Sequence, residues 1–292
     1  MPRRGELVIR LFASDLDGTL LNVVHDVDHA ILGSVAETCE QGCHFVIATG
    51  RCMRSNECFG FQDIPVDIAC SNGSLIYDAK GTLLDHSPID QSFLEELLAT
   101  FPDLPFACIA CDHTYVTASE RTFQSTNTPP NPLAAVAMRG MRKSRVEHAT
   151  GEYVFDATAS QVLAHEVCKV NVRVSDAERH HRLEVFLAGH ADTVTDAPFR
   201  PSLFEITNVG VNKGSAVAWL ADHLDIPEDE VAVYGDGGND VTMLERFDHA
   251  YVTSCATDEA RAAATSVVGS NILHAVPRHL RRTLRQNARE QA

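Results

Sequence analysis

The chain has 292 residues, 45% hydrophobic and 22% charged, and a net charge of −16 from 24 basic and 40 acidic side chains. That length suffices for a large core plus a second folded unit, and the composition is that of a globular protein. So acidic a surface repels nucleic acid and anionic membranes, and no apolar run approaches the length of a membrane span.

In chain order, residues 1–6 carry Arg3 and Arg4, and the apolar run behind them, 7–13, is broken by Arg10. It is too short for a signal peptide, and cleavage would remove the acids that follow, so a cytoplasmic protein is expected. The run reads as a buried strand of a parallel sheet. At its carboxyl end, where open α/β sheets bind ligands, stands Asp15-Leu16-Asp17-Gly18-Thr19-Leu20. Two acids so close call for a cation such as Mg²⁺, or for one of them to hold a proton. The plainer reading of residues 15–18 alone is an Asp-rich turn with Gly18 at positive φ.

Ile31, Leu32, Val35 and Ala36 then recur at helical spacing over 28–40, stopped by Gly42. A strand at 44–48, the turn Thr49-Gly50-Arg51, a helix from Cys52 and a strand at 66–70 ending in Ser71-Asn72-Gly73 follow. This βαβαβ pattern predicts an α/β fold with a doubly wound parallel, Rossmann-like sheet. From Leu75 the texture changes. Segments 74–77 and 82–84 flank Asp78-Ala79-Lys80-Gly81 as a hairpin, followed by a helix at 92–99 and strands at 106–110 and 114–117. A loop at 125–132, a strand at 166–174, a helix at 177–187 and a strand at 193–195 complete an inserted α+β unit. Alternation resumes with a helix at 213–224 and a strand at 231–234 ending in Gly235-Asp236-Gly237-Gly238-Asn239-Asp240. A helix at 241–247, a strand at 250–252 and a helix at 258–264 come next. The expected division is 1–84 and 202–292 for the parallel-sheet core and 85–201 for the insertion.

At the C-terminal end Leu280, Leu284 and Ala288 recur every four residues among Arg278, Arg281, Arg282, Arg285 and Arg289. This predicts an amphipathic helix, its apolar stripe on the core and its arginines in solvent. The nine cysteines are odd in number and scattered, which fits reduced thiols. Cys108 and Cys111 have CxxC spacing but lie in a strand-like run without a second such pair, so no zinc or redox site is expected. His180 and His181 are expected at the surface of their helix.

The chemistry-bearing residues fall at strand ends and helix starts: Asp15 and Asp17, Thr49 and Gly50, Lys213, and Asp236, Asn239 and Asp240. In a parallel sheet these ends share one edge, so one pocket would gather four acids, a hydroxyl, a lysine and helix N-termini. Helix N-termini and a compact lysine charge suit phosphate, and hard oxygen ligands suit Mg²⁺; together they point to phosphoryl transfer. Other readings stay open. Thr49 is also suited to cap a following helix, Lys213 to a solvated helix start, and Gly237-Gly238 to a turn. Arg51 is placed either to reach substrate or to pair with an acid.

The segments 15–20, 49–51, Lys213-Gly214 and 235–240 are similar, in order and spacing, to the four signature motifs of the haloacid dehalogenase superfamily. The similarity is greatest to its Cof-type sugar-phosphate phosphatases, whose type IIB cap is inserted where this chain changes texture. Ser71-Asn72-Gly73 and the hairpin behind it also resemble that subfamily. The resemblance spans nearly the whole chain. It implies Asp15 as nucleophile, forming an aspartyl-phosphate, and Asp17 as general acid and base with a raised pKa. It implies Mg²⁺ held by Asp15, the Asp17 backbone carbonyl and Asp236. Phosphoryl oxygens would be held by Thr49, the Leu16 and Gly50 amides, Lys213 and Asn239. Asp240 would orient Lys213 or a metal-bound water, Arg51 would stand behind the reacting groups, and the cap would close over the leaving group.

One departure is the segment 251–256, Tyr-Val-Thr-Ser-Cys-Ala, where the subfamily usually has a Gly/Asn-rich turn. The expectation is a Mg²⁺-dependent phosphatase of small phosphorylated metabolites, sugar phosphates among them, with no nucleic-acid or membrane partner. A phosphomutase of the same fold and a non-catalytic metabolite sensor are the alternatives. The loops over 111–131 carry no readable specificity code.

Overall fold

The computed structural model describes residues 8–22, 24, 26–54, 60–61, 63–127, 153–197 and 202–290. Residues 1–6 and most of the loop expected over 125–132 lie outside them. The helix expected from Cys52 is not formed at 52–54, and 55–59 lie outside the described residues.

The described strands, in chain order, are β1 (Leu11–Ser14), β2 (His44–Ala48), β3 (Val66–Cys70), β4 (Leu75–Tyr77), β5 (Leu83–His86), β6 (Ala107–Ala110), β7 (Thr114–Val116), β8 (Tyr153–Val154), β9 (Val167–Arg173), β10 (Val194–Asp196), β11 (Leu203–Asn208), β12 (Val231–Gly235), β13 (His249–Thr253) and β14 (Ser266–Gly269). The chain forms two compact units, one of Met1–Arg51, Ser55–Leu84 and Asn212–Ala292, the other of Cys52–Arg54 and Asp85–Val211.

The first unit holds an eight-stranded sheet in the order β14-β13-β12-β1-β2-β3-β4-β5. Strands β14 through β3 run parallel, and β4 turns back antiparallel to β3. Every residue of β1 is buried because neighbours flank it on both sides, Phe12 lying between Ala232 and Phe45 in register. The strand is regular from Leu11, and Arg10 already joins its neighbours, its N–H donating to the Glu230 carbonyl at 2.9 Å and its carbonyl accepting the His44 N–H at 2.8 Å, while Leu7 lies outside the described residues. Ile9 is instead held by a side chain: Asn287 Nδ2 donates to its carbonyl at 2.7 Å and Asn287 Oδ1 accepts its N–H at 3.2 Å. Strand β14 is not anticipated by the sequence reading; Ser266 and Val267 are exposed on this edge, so no buried pattern marks it.

Asn287 belongs to the C-terminal helix Ala275–Glu290, which buries Val276, Leu280, Thr283, Leu284 and Asn287. Ala288 is exposed, which corrects the expected stripe. Steps of four drift about 40° per step round a helix, so a third residue in that series has left the face that a step of seven regains. Arg281 is half-buried, its Nε donating to Glu37 at 2.8 Å, while Arg278, Arg282, Arg285 and Arg289 are exposed.

The second unit holds a six-stranded sheet in the order β10-β11-β9-β6-β7-β8, antiparallel except between β7 and β8. Helices Gln91–Thr100 and Ala177–Ala188 bury Phe93, Leu97 and Leu183 in one cluster with Val170, Val172, Phe204 and Ile206 of the sheet. Alternate residues put Lys169 and Glu205 on the sheet's other face, both buried and paired by a hydrogen bond. Strand β11 pairs with β9 from Leu203 to Thr207, so this unit runs to Val211 and the expected boundary at 201/202 is corrected. The alternation Phe204-Glu205-Ile206-Thr207 is the signal for β11 that was available in the sequence.

His180 is not a free surface residue: its ring tilts over Phe204 at 4.7 Å, while His181 is exposed. The described cysteines are all free. Among the described residues no helix is long and apolar enough to cross a membrane.

Candidate active site

The site begins where β1 ends. The Asp15 N–H donates to the Tyr234 carbonyl at 2.9 Å, continuing the ladder one residue beyond the strand. The chain then turns tightly, with the Leu20 N–H on the Asp15 carbonyl at 3.2 Å and the Leu21 N–H on that of Leu16 at 2.9 Å. Gly18 takes φ +81°, and a Cβ there would lie 2.2 Å from Asp236 Oδ2. Only glycine permits this approach, so the turn is built around the Asp236 carboxylate. Thr19 Oγ1 donates to the other oxygen of Asp236 at 2.9 Å.

Lys213 opens the helix Lys213–His223, whose start is fixed by Asn212. The Asn212 side chain accepts the Ser215 N–H at 2.9 Å, and Ser215 Oγ accepts the Asn212 N–H at 3.0 Å. Lys213 is completely buried, which overturns the solvated reading. Its Nζ donates to Asp15 Oδ1 and to Asp240 Oδ1, each at 2.6 Å. Asp240 Oδ2 accepts the N–H groups of Asp236 and Gly237, both at 2.9 Å. Asp240 thus ties the lysine to the backbone that carries Asp236.

Burial dominates the electrostatics. Desolvation pushes the Asp15 carboxyl well above its ordinary value; Lys213 opposes this and Asp240 adds to it. Burial, with Asp240 beside it, pushes Asp236 up to about 6. Burial alone would lower Lys213, but Asp15 and Asp240 overcome it and hold the ammonium charged. Asp15, Asp236 and Asp240 each offer a carboxylate oxygen, all within 4.8 Å of one another.

The turn after β2 supplies a third side. Thr49 is buried, and its N–H donates to the Ala69 carbonyl at 2.9 Å. Its Oγ1 accepts the Arg51 N–H at 3.2 Å, and no helix forms at 52–54 for it to cap. Arg51 forks onto Asp17, Nε to Oδ2 at 2.6 Å and Nη2 to Oδ1 at 2.5 Å. Of the two readings of Arg51, the structure has the pairing with an acid. The Asp17 side chain accordingly faces a guanidinium and is not among the three clustered carboxylates, whereas Asp240 is. Leu16 is buried, and Asn239 Nδ2 lies 3.3 Å from Asn72 Oδ1, beside Gly50.

All these residues belong to the first unit. Thr19 and Asn72 lie in segments that resemble the family, and Thr253 and Cys255 in the one that departs from it, but no local signal announces what any of them touches. Thr253 Oγ1 donates to the Gly18 carbonyl at 3.0 Å, and Cys255 Sγ reaches the same oxygen at 3.4 Å. The segment that departs from the resembled pattern therefore holds the Asp15–Leu20 turn. No spacing in the sequence announces a contact across 235 positions.

The family profile described as haloacid dehalogenase-like hydrolase matches residues 12–280. The chain belongs to this family. That match makes it a hydrolase, and the curated relatives it resembles are named phosphatases. It is 27% identical to the HMP-PP phosphatase of Yersinia enterocolitica over 257 residues, 86% of each protein. To the phosphatase YwpJ of Bacillus subtilis it is 25% identical, with 94% of this chain and all of that one aligned. Among solved structures, a haloacid dehalogenase-like hydrolase from B. subtilis superposes with a TM-score of 0.77 at 22% identity, over 94% of this chain and 99% of that one. The subclass IIB sugar phosphatase BT4131 gives 0.71 at 18%, over 94% and 98%. At these identities the structural likenesses establish the hydrolase family's fold.

Proposed function

We propose that this hydrolase is a Mg²⁺-dependent phosphatase of small phosphorylated metabolites, working through an aspartyl-phosphate on Asp15. The observation that carries the reading is the buried Lys213 bridging Asp15 and Asp240, with Asp236 alongside. Such a cluster is costly for stability alone, since buried carboxylates demand a compensating charge beyond one lysine. The relatives named as phosphatases of HMP-PP and of sugar phosphates suggest substrates of that size.

The donor set suits Mg²⁺. It consists of carboxylate oxygens, it is buried, and one cation would offset acids that burial pushes towards protonation. Asp15 and Asp236, with the Asp17 carbonyl, would hold the ion. Both oxygens of Asp240 are engaged by Lys213 and backbone N–H groups, so Asp240 orients its neighbours. When bound, Mg²⁺ would neutralise charge between the nucleophile and the phosphoryl group.

The chain's own residues would do the rest. Lys213 directs Asp15 through Oδ1. A carboxylate oxygen of Asp15 attacks phosphorus in line, a P–O bond to Asp15 forms and the bond to the leaving alkoxide breaks. Asp17, released from Arg51 to carry a proton, gives it to the alkoxide. Asp17 then takes a proton from water, which attacks phosphorus and frees Asp15 and inorganic phosphate. Thr49, the Gly50 amide and Asn239 would hold phosphoryl oxygens through charge-assisted hydrogen bonds.

The test is phosphate release from a panel of phosphorylated metabolites, with Mg²⁺ or with EDTA, beside Asp15→Asn. Release that depends on Mg²⁺ and disappears in Asp15→Asn is expected. Undiminished release by Asp15→Asn would rule out the nucleophile, and transfer to a second hydroxyl in place of release would make the protein a phosphomutase.

A further inference from the structure

We propose that Asn72 is a positioning residue of the phosphoryl pocket, holding the Asn239 amide and the Gly50 backbone where they meet a phosphoryl oxygen. The inference rests on the phosphatase reading above and goes beyond it, because it adds a residue that touches none of the reacting groups.

Asn72 sits in an unusual piece of backbone. At the end of β3, Ser71, Asn72 and Gly73 take φ of +54°, +61° and +95° in succession. Asparagine tolerates the left-handed region better than most residues, but two consecutive non-glycine residues there persist only where the surroundings over-determine them. The surroundings do so. The Ser71 N–H donates to the Arg51 carbonyl at 2.8 Å and the Asn72 N–H to the Thr49 carbonyl at 3.1 Å. The strained turn is laced to the backbone on either side of Gly50.

This backbone delivers the Asn72 carboxamide to a buried position between two segments of the site. Its Oδ1 accepts from Asn239 Nδ2 at 3.3 Å. A Cβ on Gly50 would lie 2.8 Å from the same Oδ1 and 3.4 Å from Asn239 Nδ2. Gly50 is thus a glycine because the two amides close over it. Asn72 is 3% exposed, and its Nδ2 has no hydrogen-bond partner among the described residues. The Ser71 and Ser74 hydroxyls beside it are likewise buried without partners. The strained backbone thus spends the Asn72 carbonyl on Asn239 and sets it against Gly50, an arrangement that serves what Asn239 and Gly50 do.

The test uses Asn72→Gly. Glycine adopts the left-handed turn without steric strain, at an entropic cost only, so the variant removes the amide and spares the backbone. Three proteins are compared with wild type: Asn72→Gly, Asn239→Ala and the double variant. Each is assayed for kcat and KM with Mg²⁺ and an active phosphate ester, and for binding of inorganic phosphate by calorimetry. Asn72→Gly is expected to stay folded, with kcat/KM lowered at least tenfold and phosphate bound correspondingly more weakly. Asn239→Ala should cost a similar factor, and the double variant little more than either single one, as residues acting through one another do. Multiplicative losses in the double variant, or an Asn72→Gly protein with wild-type kcat, KM and phosphate affinity, would overturn the assignment. A lowered melting temperature with unchanged kinetics would do so too, because it marks a merely structural residue. If wild type releases no phosphate from any ester, the phosphatase reading fails, and phosphate affinity still decides whether Asn72 organises an anion pocket.

Discussion

Lys213 Nζ lies 2.6 Å from Asp15 Oδ1, with neither side chain more than 8% exposed, although 198 positions separate the two residues. The same nitrogen reaches Asp240 at the same distance. A single buried ammonium therefore sets the attitude of Asp15, the proposed nucleophile, and of the acid that holds the Asp236 backbone.

Removing that ammonium leaves two facing carboxylates without a cation. Lys213→Met should lower kcat by at least about two orders of magnitude, the usual loss of a preorganised charge at a reacting centre. It should also destabilise the fold by about 3–5 kcal/mol, as breaking a buried ion pair does. Steady-state phosphate release and urea unfolding measure the two effects.

Gly18→Ala should inactivate the protein. The new methyl would sit 2.2 Å from Asp236 Oδ2, at a φ of +81° that alanine resists. Moving Asp236 aside takes it from Thr19 and from the carboxylate cluster. Strain of about 1–3 kcal/mol is expected in the urea midpoint. Mg²⁺ binding, followed by calorimetry, should weaken in parallel with activity.

In the second unit, Lys169 and Glu205 are buried and paired. Lys169→Met should cost about 3–5 kcal/mol because it removes one member of a buried ion pair. Lys169→Met combined with Glu205→Leu should recover most of that loss, since an apolar pair needs no desolvation of charge. Thermal melts of both variants decide it; a double variant no better than the single one would show that the pair is not the main term.

His279 ties stability to pH. Its Nδ1 lies 2.9 Å from the Tyr234 hydroxyl, its ring lies against Tyr251, and Arg282 is near. Burial first, then the charge of Arg282, lowers it from the usual 6.5 to about 4. The unfolded chain therefore binds more protons than the folded one between those values, and the stabilising contribution is complete above about 6.5. It is lost progressively as pH falls towards 4. Asp15 and Asp236, raised by burial, titrate in the opposite sense in both proteins, so the His279 effect is read as a difference: the urea midpoint of His279→Phe should gain on that of wild type from pH 7 to pH 5.

Much of the architecture is legible in local pattern. Apolar strands end in turn residues at 48–50, 70–73 and 235–240, and Asn212 caps the helix that starts at Lys213. These features need only neighbours within a few positions. The change of texture near Leu75 precedes the α+β insertion, since the hairpin of β4 and β5 still belongs to the first sheet, and no local signal marks the insertion's far end. Strand β11 is recognised as part of that unit only through its pairing with β9.

The sequence alone determined which residues stand at strand ends, and with that the chemical inventory of one sheet edge: acids, a threonine and a lysine. Periodicity and turn chemistry are short-range, and they dictate where a strand stops whatever surrounds it. Tertiary structure alone decided how the inventory is paired. It joined Lys213 to Asp15 and Asp240, turned Asp17 towards Arg51, set Asp236 against Gly18, and drew Thr253 onto the Gly18 carbonyl. Those partners are set by strand order and register, which bring together side chains hundreds of positions apart, and no local spacing encodes them.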